Sequence, residues 1–148
     1  MTREKFIKVL KNEKYSYEIE GDKIIVTHED DVWLTLITSL PPGVEFNNRG
    51  DVWLMSLTSL PPGVVFNNGG SVRLGSLTSL PPDVEFNNGG DVDLKSLTSL
   101  PSGMEFNNSG DVYLESLTGD WFEYWKGNID GIDSKRLLNL MISKGVFI

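Results

Sequence analysis

The sequence predicts a mainly β protein: one short β-solenoid of 20-residue coils, closed at each end by a cap. Three observations carry this expectation. From Asp31 to Thr118 one phrase is written four times and begun a fifth, as DVWLTLITSLPPGVEFNNRG, DVWLMSLTSLPPGVVFNNGG, SVRLGSLTSLPPDVEFNNGG, DVDLKSLTSLPSGMEFNNSG and DVYLESLT, at a period of 20 residues without insertion or deletion. A fixed period of this length marks stacked units, each too small to bury its own apolar face. Apolar residues also return at the same six positions of every unit, and proline-glycine and asparagine-glycine clusters punctuate the same two places.

The 148 residues read as a single domain with an N-terminal cap over 1–30, the repeats over 31–118 and a C-terminal cap over 119–148. Thr2 is placed to cap a helix over about residues 3–12, with Phe6, Ile7 and Leu10 on one face and lysines on the other. YSYEIEGDKIIVT alternates with period two around Gly21-Asp22, which predicts a hairpin of residues 15–20 with 23–27. Ile24 and Val26 stand one period before Val44 and Phe46, so the second hairpin strand takes the place of the last part of a coil.

Within a coil, positions are counted from Asp31, Asp51, Ser71, Asp91 and Asp111. Position 2 is always Val and position 4 always Leu, a two-residue step that places both on one strand face. Positions 7, 10, 14 and 16 complete six apolar columns, the last of them Phe46, Phe66, Phe86 and Phe106. Three extended sides are expected, roughly GVEF, DVWL and SLTSL, and no 3.6-residue period supports a helix inside a coil. After Thr118 the repeat fails. Trp121, Phe122, Tyr124 and Trp125, a helix starting at Asp133 or Ser134, and a short strand over 146–148 are the expected C-terminal lid; the helix carries an apolar stripe with Leu137, Leu138, Leu140 and Met141 and stops at Gly145.

Composition bounds the function. Thirteen basic and 21 acidic residues give a net charge of −8, which disfavours direct binding to nucleic acid or an anionic membrane and points to a partner with a basic surface. The excess lies on the repeats, where residues 31–118 carry 10 acidic and 3 basic side chains. There is no cysteine, the first residues never make the uninterrupted apolar run of a signal peptide, and no stretch is long enough for a membrane span. A cytoplasmic protein without cofactor is the expectation.

LTSLPPGV and LTSLPPDV resemble the LTxLPxxL part of bacterial leucine-rich repeats, including the 20-residue class found in secreted effectors of pathogens. The resemblance covers residues 31–118. The LxxLxLxxN strand of that family is replaced here by FNNGGDVxL, which supplies further extended sides. What the resemblance implies is a right-handed stacked-coil solenoid with a recognition role, and neither a horseshoe nor an effector activity.

Candidate site residues are those that vary while the apolar columns stay constant. Position 3 reads Trp33, Trp53, Arg73, Asp93, Tyr113, and position 5 reads Thr35, Met55, Gly75, Lys95, Glu115. Coils about 4.8 Å apart would set these as a side-by-side ladder on one sheet face. Trp, Tyr, Met and Arg are enriched at interfaces, so Trp33, Trp53, Met55, Arg73, Asp93, Lys95, Tyr113 and Glu115 form the predicted partner-binding set. The bland alternative is that they serve only cross-strand packing. Glu45, Glu85 and Glu105, with Val65 between, form an acidic column on another side, read either as a mimic of a phosphate backbone or as a solvated face that resists aggregation.

No catalytic constellation is present. His28 is the single histidine, Ser39, Ser59, Ser79 and Ser99 recur as a structural column, and Asp91 and Asp93 are not read as a glycosidase pair. The NNGGDV corner differs from calcium-binding β-rolls, whose repeats run near nine residues, and Ser71 interrupts its aspartate column, so no metal is expected. The reading is therefore a non-enzymatic protein-binding repeat module, with inhibition of a host protein as one form of it. The alternatives are an acidic phage-type anti-defence protein that mimics nucleic acid and blocks a nucleic-acid-binding enzyme, a carbohydrate-binding module that uses the aromatic ladder, and a self-assembling homo-oligomer.

Overall fold

A computed structural model describes residues 1–117 and the helix at 134–143. The chain begins with α1 (Arg3–Asn12), whose first turn is closed by the Thr2 hydroxyl accepting from the Lys5 amide at 3.2 Å. The hairpin β1 (Tyr17–Glu20) and β2 (Lys23–Val26) follows, with Gly21 turning it at φ +61°. Then come β3 (Val32–Trp33), β4 (Val44–Phe46), β5 (Val52–Trp53), β6 (Val65–Phe66), β7 (Val72–Arg73), β8 (Glu85–Phe86), β9 (Val92–Asp93), β10 (Val112–Tyr113) and α2 (Ser134–Ser143). The described residues form a mainly β solenoid of four stacked 20-residue coils with a helix at each end.

Two parallel sheets run along the stack. One has the order β1-β2-β4-β6-β8 and reaches the fourth coil through a bridge between Phe86 and Phe106, and the other runs β10-β9-β7-β5-β3. Only β1 is antiparallel to its neighbour. Ile24 pairs with Val44 and Val26 with Phe46, so the hairpin does supply the last part of a coil. The register never slips from 20, because a shift of one residue would turn every buried Val and Phe outward.

The six apolar columns meet in one core. Phe46, Phe66, Phe86 and Phe106 stack with ring centroids 5.2–5.4 Å apart and are essentially fully buried. Burial of a side chain of that size stabilises the fold by about 1.5–3 kcal/mol. The columns weaken only toward the ends, where Ile37, Val112 and Leu117 are partly buried. In α1, Phe6 and Leu10 enter the core and Ile7 packs beside it.

The third side, SLTSL, is not a strand. Leu57, Leu77, Leu97 and Leu117 each donate to the Leu three residues earlier, which makes a tight turn, and the stack is held there by one threonine per coil, as where Thr98 N and Oγ1 both donate to Thr78 O at 3.3 and 3.2 Å. The proline that follows has no N–H to continue a ladder. The coil is therefore two strands and a turned corner where three extended sides were expected.

Asparagine holds the remaining corner. Asn48, Asn68, Asn88 and Asn108 are buried, and each side-chain nitrogen donates to three backbone carbonyls; for Asn68 these are Gly50, Gly70 and Ser71 at 3.1–3.2 Å. For Asn68 one of these carbonyls ends the coil before, one ends its own coil and one belongs to the first residue of the next, so each asparagine staples its own corner to the coil before it. The first-position side chains do the same at the rim. Asp31 accepts from the Asp51 amide, Asp51 from Ser71, the Ser71 hydroxyl from Asp91, and Asp91 from Asp111, all at 2.7–3.0 Å. This explains why serine can replace aspartate: either offers one oxygen to the next coil.

One edge of each sheet is closed by a single side chain. At the first coil the Tyr15 hydroxyl accepts from Trp33 N and donates to Trp33 O, and at the fourth the Asn139 amide of α2 exchanges two bonds with Phe106 at 2.9 and 3.0 Å. Leu138 and Ile142 bury α2 against the core while Leu140 is half exposed, which corrects the expected stripe. Leu137 is not among the side chains described; the aromatic cluster at Trp121, Phe122, Tyr124 and Trp125, the stop at Gly145 and the strand over 146–148 lie outside the described residues.

Candidate functional site: the outer ladder of the second sheet

In a two-residue strand the buried Val at position 2 forces position 3 to the opposite face. All five position-3 side chains therefore line the outer surface of the sheet β10-β9-β7-β5-β3, and parallel pairing sets Trp33 beside Trp53, Trp53 beside Arg73, Arg73 beside Asp93 and Asp93 beside Tyr113. The two indoles stack face to face, 4.6 Å apart and 6° from parallel. The Arg73 guanidinium carbon lies 5.6 Å from the centre of the Trp53 ring on its far side, a cation–π contact. Both faces of Trp53 are thus covered. Trp33 is about half exposed, and Tyr113 is exposed at the far end.

The position-5 column is uneven because Gly75 interrupts it. A Cβ at Gly75 would meet the Met55 methyl at 2.9 Å and the Lys95 Cε at 3.0 Å, so both long side chains fold over the glycine and fill its gap. Asp93 accepts from the Lys95 amide at 3.2 Å, and Glu115 is exposed beyond it. Trp33, Trp53, Met55, Arg73, Asp93, Lys95, Tyr113 and Glu115 consequently share one continuous surface. Two buried donors on it, Trp53 Nε1 and Arg73 Nε, have no acceptor among the described residues. The Tyr113 phenol is pushed above the usual tyrosine range, chiefly by the neighbouring Asp91 carboxylate, then by partial desolvation and by Asp111.

The acidic column lies on the other sheet, away from the ladder. Glu45 is half buried, lies 3.8 Å from the Lys23 ammonium and accepts from Asn67, whereas Glu85 and Glu105 are exposed. His28 packs its ring edge against Tyr15, with centroids 5.0 Å apart. Among the described residues no cluster of three or more His, Asp or Glu is placed to hold a metal ion, and no helix is long and apolar enough to cross a membrane.

Leu36 is the surface residue that sequence reasoning missed. Position 6 reads Leu36, Ser56, Ser76, Ser96, Ser116, and that single break in the column was the available signal. Leu36 is 90% exposed and stands beside Trp33 at the mouth of a groove under α1.

Comparison with known proteins finds no matching family model, no similar curated protein and no similar solved structure.

Proposed function

We propose that this protein is a non-enzymatic, leucine-rich-repeat-like binding module that presents the outer ladder of its second sheet to a protein partner, as an inhibitor would. The observation that carries the reading is the Trp33–Trp53–Arg73 stack, left open at its Trp33 end. Stacking gives such a column some cross-strand stability, but tryptophan and arginine on an outer sheet face are also the residue types that anchor interfaces. The orphaned Trp53 and Arg73 donors favour the same reading, since a small movement of the stack would offer both to carbonyls of a partner.

The stacking speaks against sugar. A sugar ring docks on an open aromatic face, and Trp53 has none, because Trp33 covers one side and Arg73 the other; this leaves only Trp33 and Tyr113, at opposite ends of the ladder, as platforms. Mimicry of nucleic acid is the weaker reading too, since the acidic column is broken by Val65 and Glu45 is partly neutralised by Lys23.

The test is an affinity capture from a lysate of the cell in which the protein acts, with the double variant Trp53→Ala, Arg73→Glu as control. A partner held by the native chain and released by the variant, at equal melting temperature, supports the ladder. Capture unchanged by the variant overturns it.

A further inference from the structure

The groove between α1 and the first coil is lined by Val9, Trp33, Leu34, Thr35, Leu36 and Ile37, with Glu13 at its rim, and encloses about 410 Å³. That is within the range of sites that take small ligands or single anchoring side chains. In two later coils the position-6 hydroxyl has a partner one coil earlier: Ser56 donates to the Thr35 carbonyl and Ser96 to that of Gly75. The first coil has no such carbonyl beneath it. This removes the reason for serine at residue 36, yet it gives no reason for a leucine that is 90% exposed. Leu36 and Trp33 are the two most exposed large apolar side chains among the described residues, and both line this groove.

Two features say what covers it. The chain carries a net charge of −8, so a second, equally acidic copy is a poor occupant and a basic partner a good one. Glu13 is the one charged residue lining the groove and has no ion pair among the described residues, on a chain whose net charge is −8. The strand edge beside it is closed, because the Tyr15 hydroxyl occupies both backbone groups of Trp33, so an added β-strand is not the mode of entry.

We infer that the groove receives one large apolar side chain of the partner protein, with a lysine or arginine next to it in sequence that meets Glu13. This rests on the ladder reading and extends it, since Trp33 belongs to both surfaces. The apolar anchor supplies the affinity and the cation fixes its orientation, as a pocket and its rim divide the work at interface hot spots.

The probe is a library of random dodecapeptides displayed on phage, selected against the full chain, with affinities of the selected peptides measured by fluorescence polarisation. Selected peptides are expected to share a Leu, Phe or Trp beside a Lys or Arg. Leu36→Ser should weaken them at least tenfold without lowering the melting temperature, and Glu13→Lys should turn the selection toward acidic neighbours. Peptides without an apolar anchor, an empty selection, or affinities untouched by Leu36→Ser overturn the inference. So does a dimer in sedimentation that Leu36→Ser dissociates, which would assign the groove to a second copy. If Leu36→Ser has no effect while Trp53→Ala, Arg73→Glu abolishes binding, the groove fails and the ladder stands; if neither changes binding, both fail.

Discussion

The phenolic oxygen of Tyr15 sits 2.9 Å from the amide nitrogen of Trp33 and 3.3 Å from its carbonyl oxygen, so a single hydroxyl substitutes for a missing strand. Tyr15→Phe keeps the ring against His28 and removes both bonds. The expected loss is about 1–2 kcal/mol, read as a melting point lower by several degrees. The exposed edge should also make the variant associate with rising concentration, as light scattering would show.

Asn139 performs the same service for Phe106 at the other end of the stack. Asn139→Ala should cost a similar amount. Because the two caps share no neighbour, the double variant with Tyr15→Phe should lose the sum of the single losses within about 0.5 kcal/mol in denaturant titrations. A clear departure from additivity would mean that the coils transmit strain from cap to cap.

The buried asparagines admit no charge. In Asn68→Asp a carboxylate would face the carbonyl oxygens of Gly50, Gly70 and Ser71. A loss of about 3–5 kcal/mol is expected at neutral pH. Burial and the three carbonyls raise the folded-state pKa of such a carboxyl above its unfolded value, so the folded state binds the proton more tightly. The deficit relative to the native chain should therefore narrow as pH falls toward the ordinary carboxylate range near about 4, which paired melts across pH would reveal.

Two glycines separate backbone need from surface design. Position 20 is glycine in every coil, and a Cβ at Gly70 would meet the backbone of Gly50 and Asp51 at 2.8 and 2.9 Å, so Gly70→Ala forces the corner apart and should cost more than about 2 kcal/mol. At Gly75 the Cβ meets only the movable ends of Met55 and Lys95. Gly75→Ala should change stability by less than about 1 kcal/mol while displacing both side chains on the ladder, so it should alter partner affinity more than melting temperature.

Tyr113 reports on its neighbours. Its phenol should titrate above the usual tyrosine range, and Asp91→Asn, which keeps an oxygen for the Asp111 amide, should bring the midpoint down in ultraviolet absorbance. Since the folded pKa is the raised one, this group's contribution favours the folded state below the unfolded value and is lost as pH rises through the folded one.

Much of the scaffold is legible in the sequence because its causes repeat. Val at position 2, Leu at position 4 and Phe at position 16 are buried for the same reason in every coil, and four copies make the reason visible. The ladder is legible by the same periodicity, as the column whose identity varies. Residues that act once leave no pattern: Tyr15 and Asn139 each close an edge through an approach between residues 18 and 33 positions apart. Burial of Asn48, Asn68 and Asn88 is equally hidden, since an asparagine in a glycine-rich corner reads as a turn until the three carbonyls that gather around its side chain are placed. The turned side at Leu54 to Leu57 looked extended because its alternation is short and its bond spans only three residues.

The staple made by each asparagine spans only from the last residue of the preceding coil to the first residue of the next. Any coil can consequently be duplicated or excised as a 20-residue block, leaving both lids and every remaining staple with its partners. Each added block would lengthen the body by about 4.8 Å and enlarge the outer ladder by one rung. A lineage carrying such a chain could change the reach and spelling of its recognition surface by recombination between its own repeats, without having to evolve a new core.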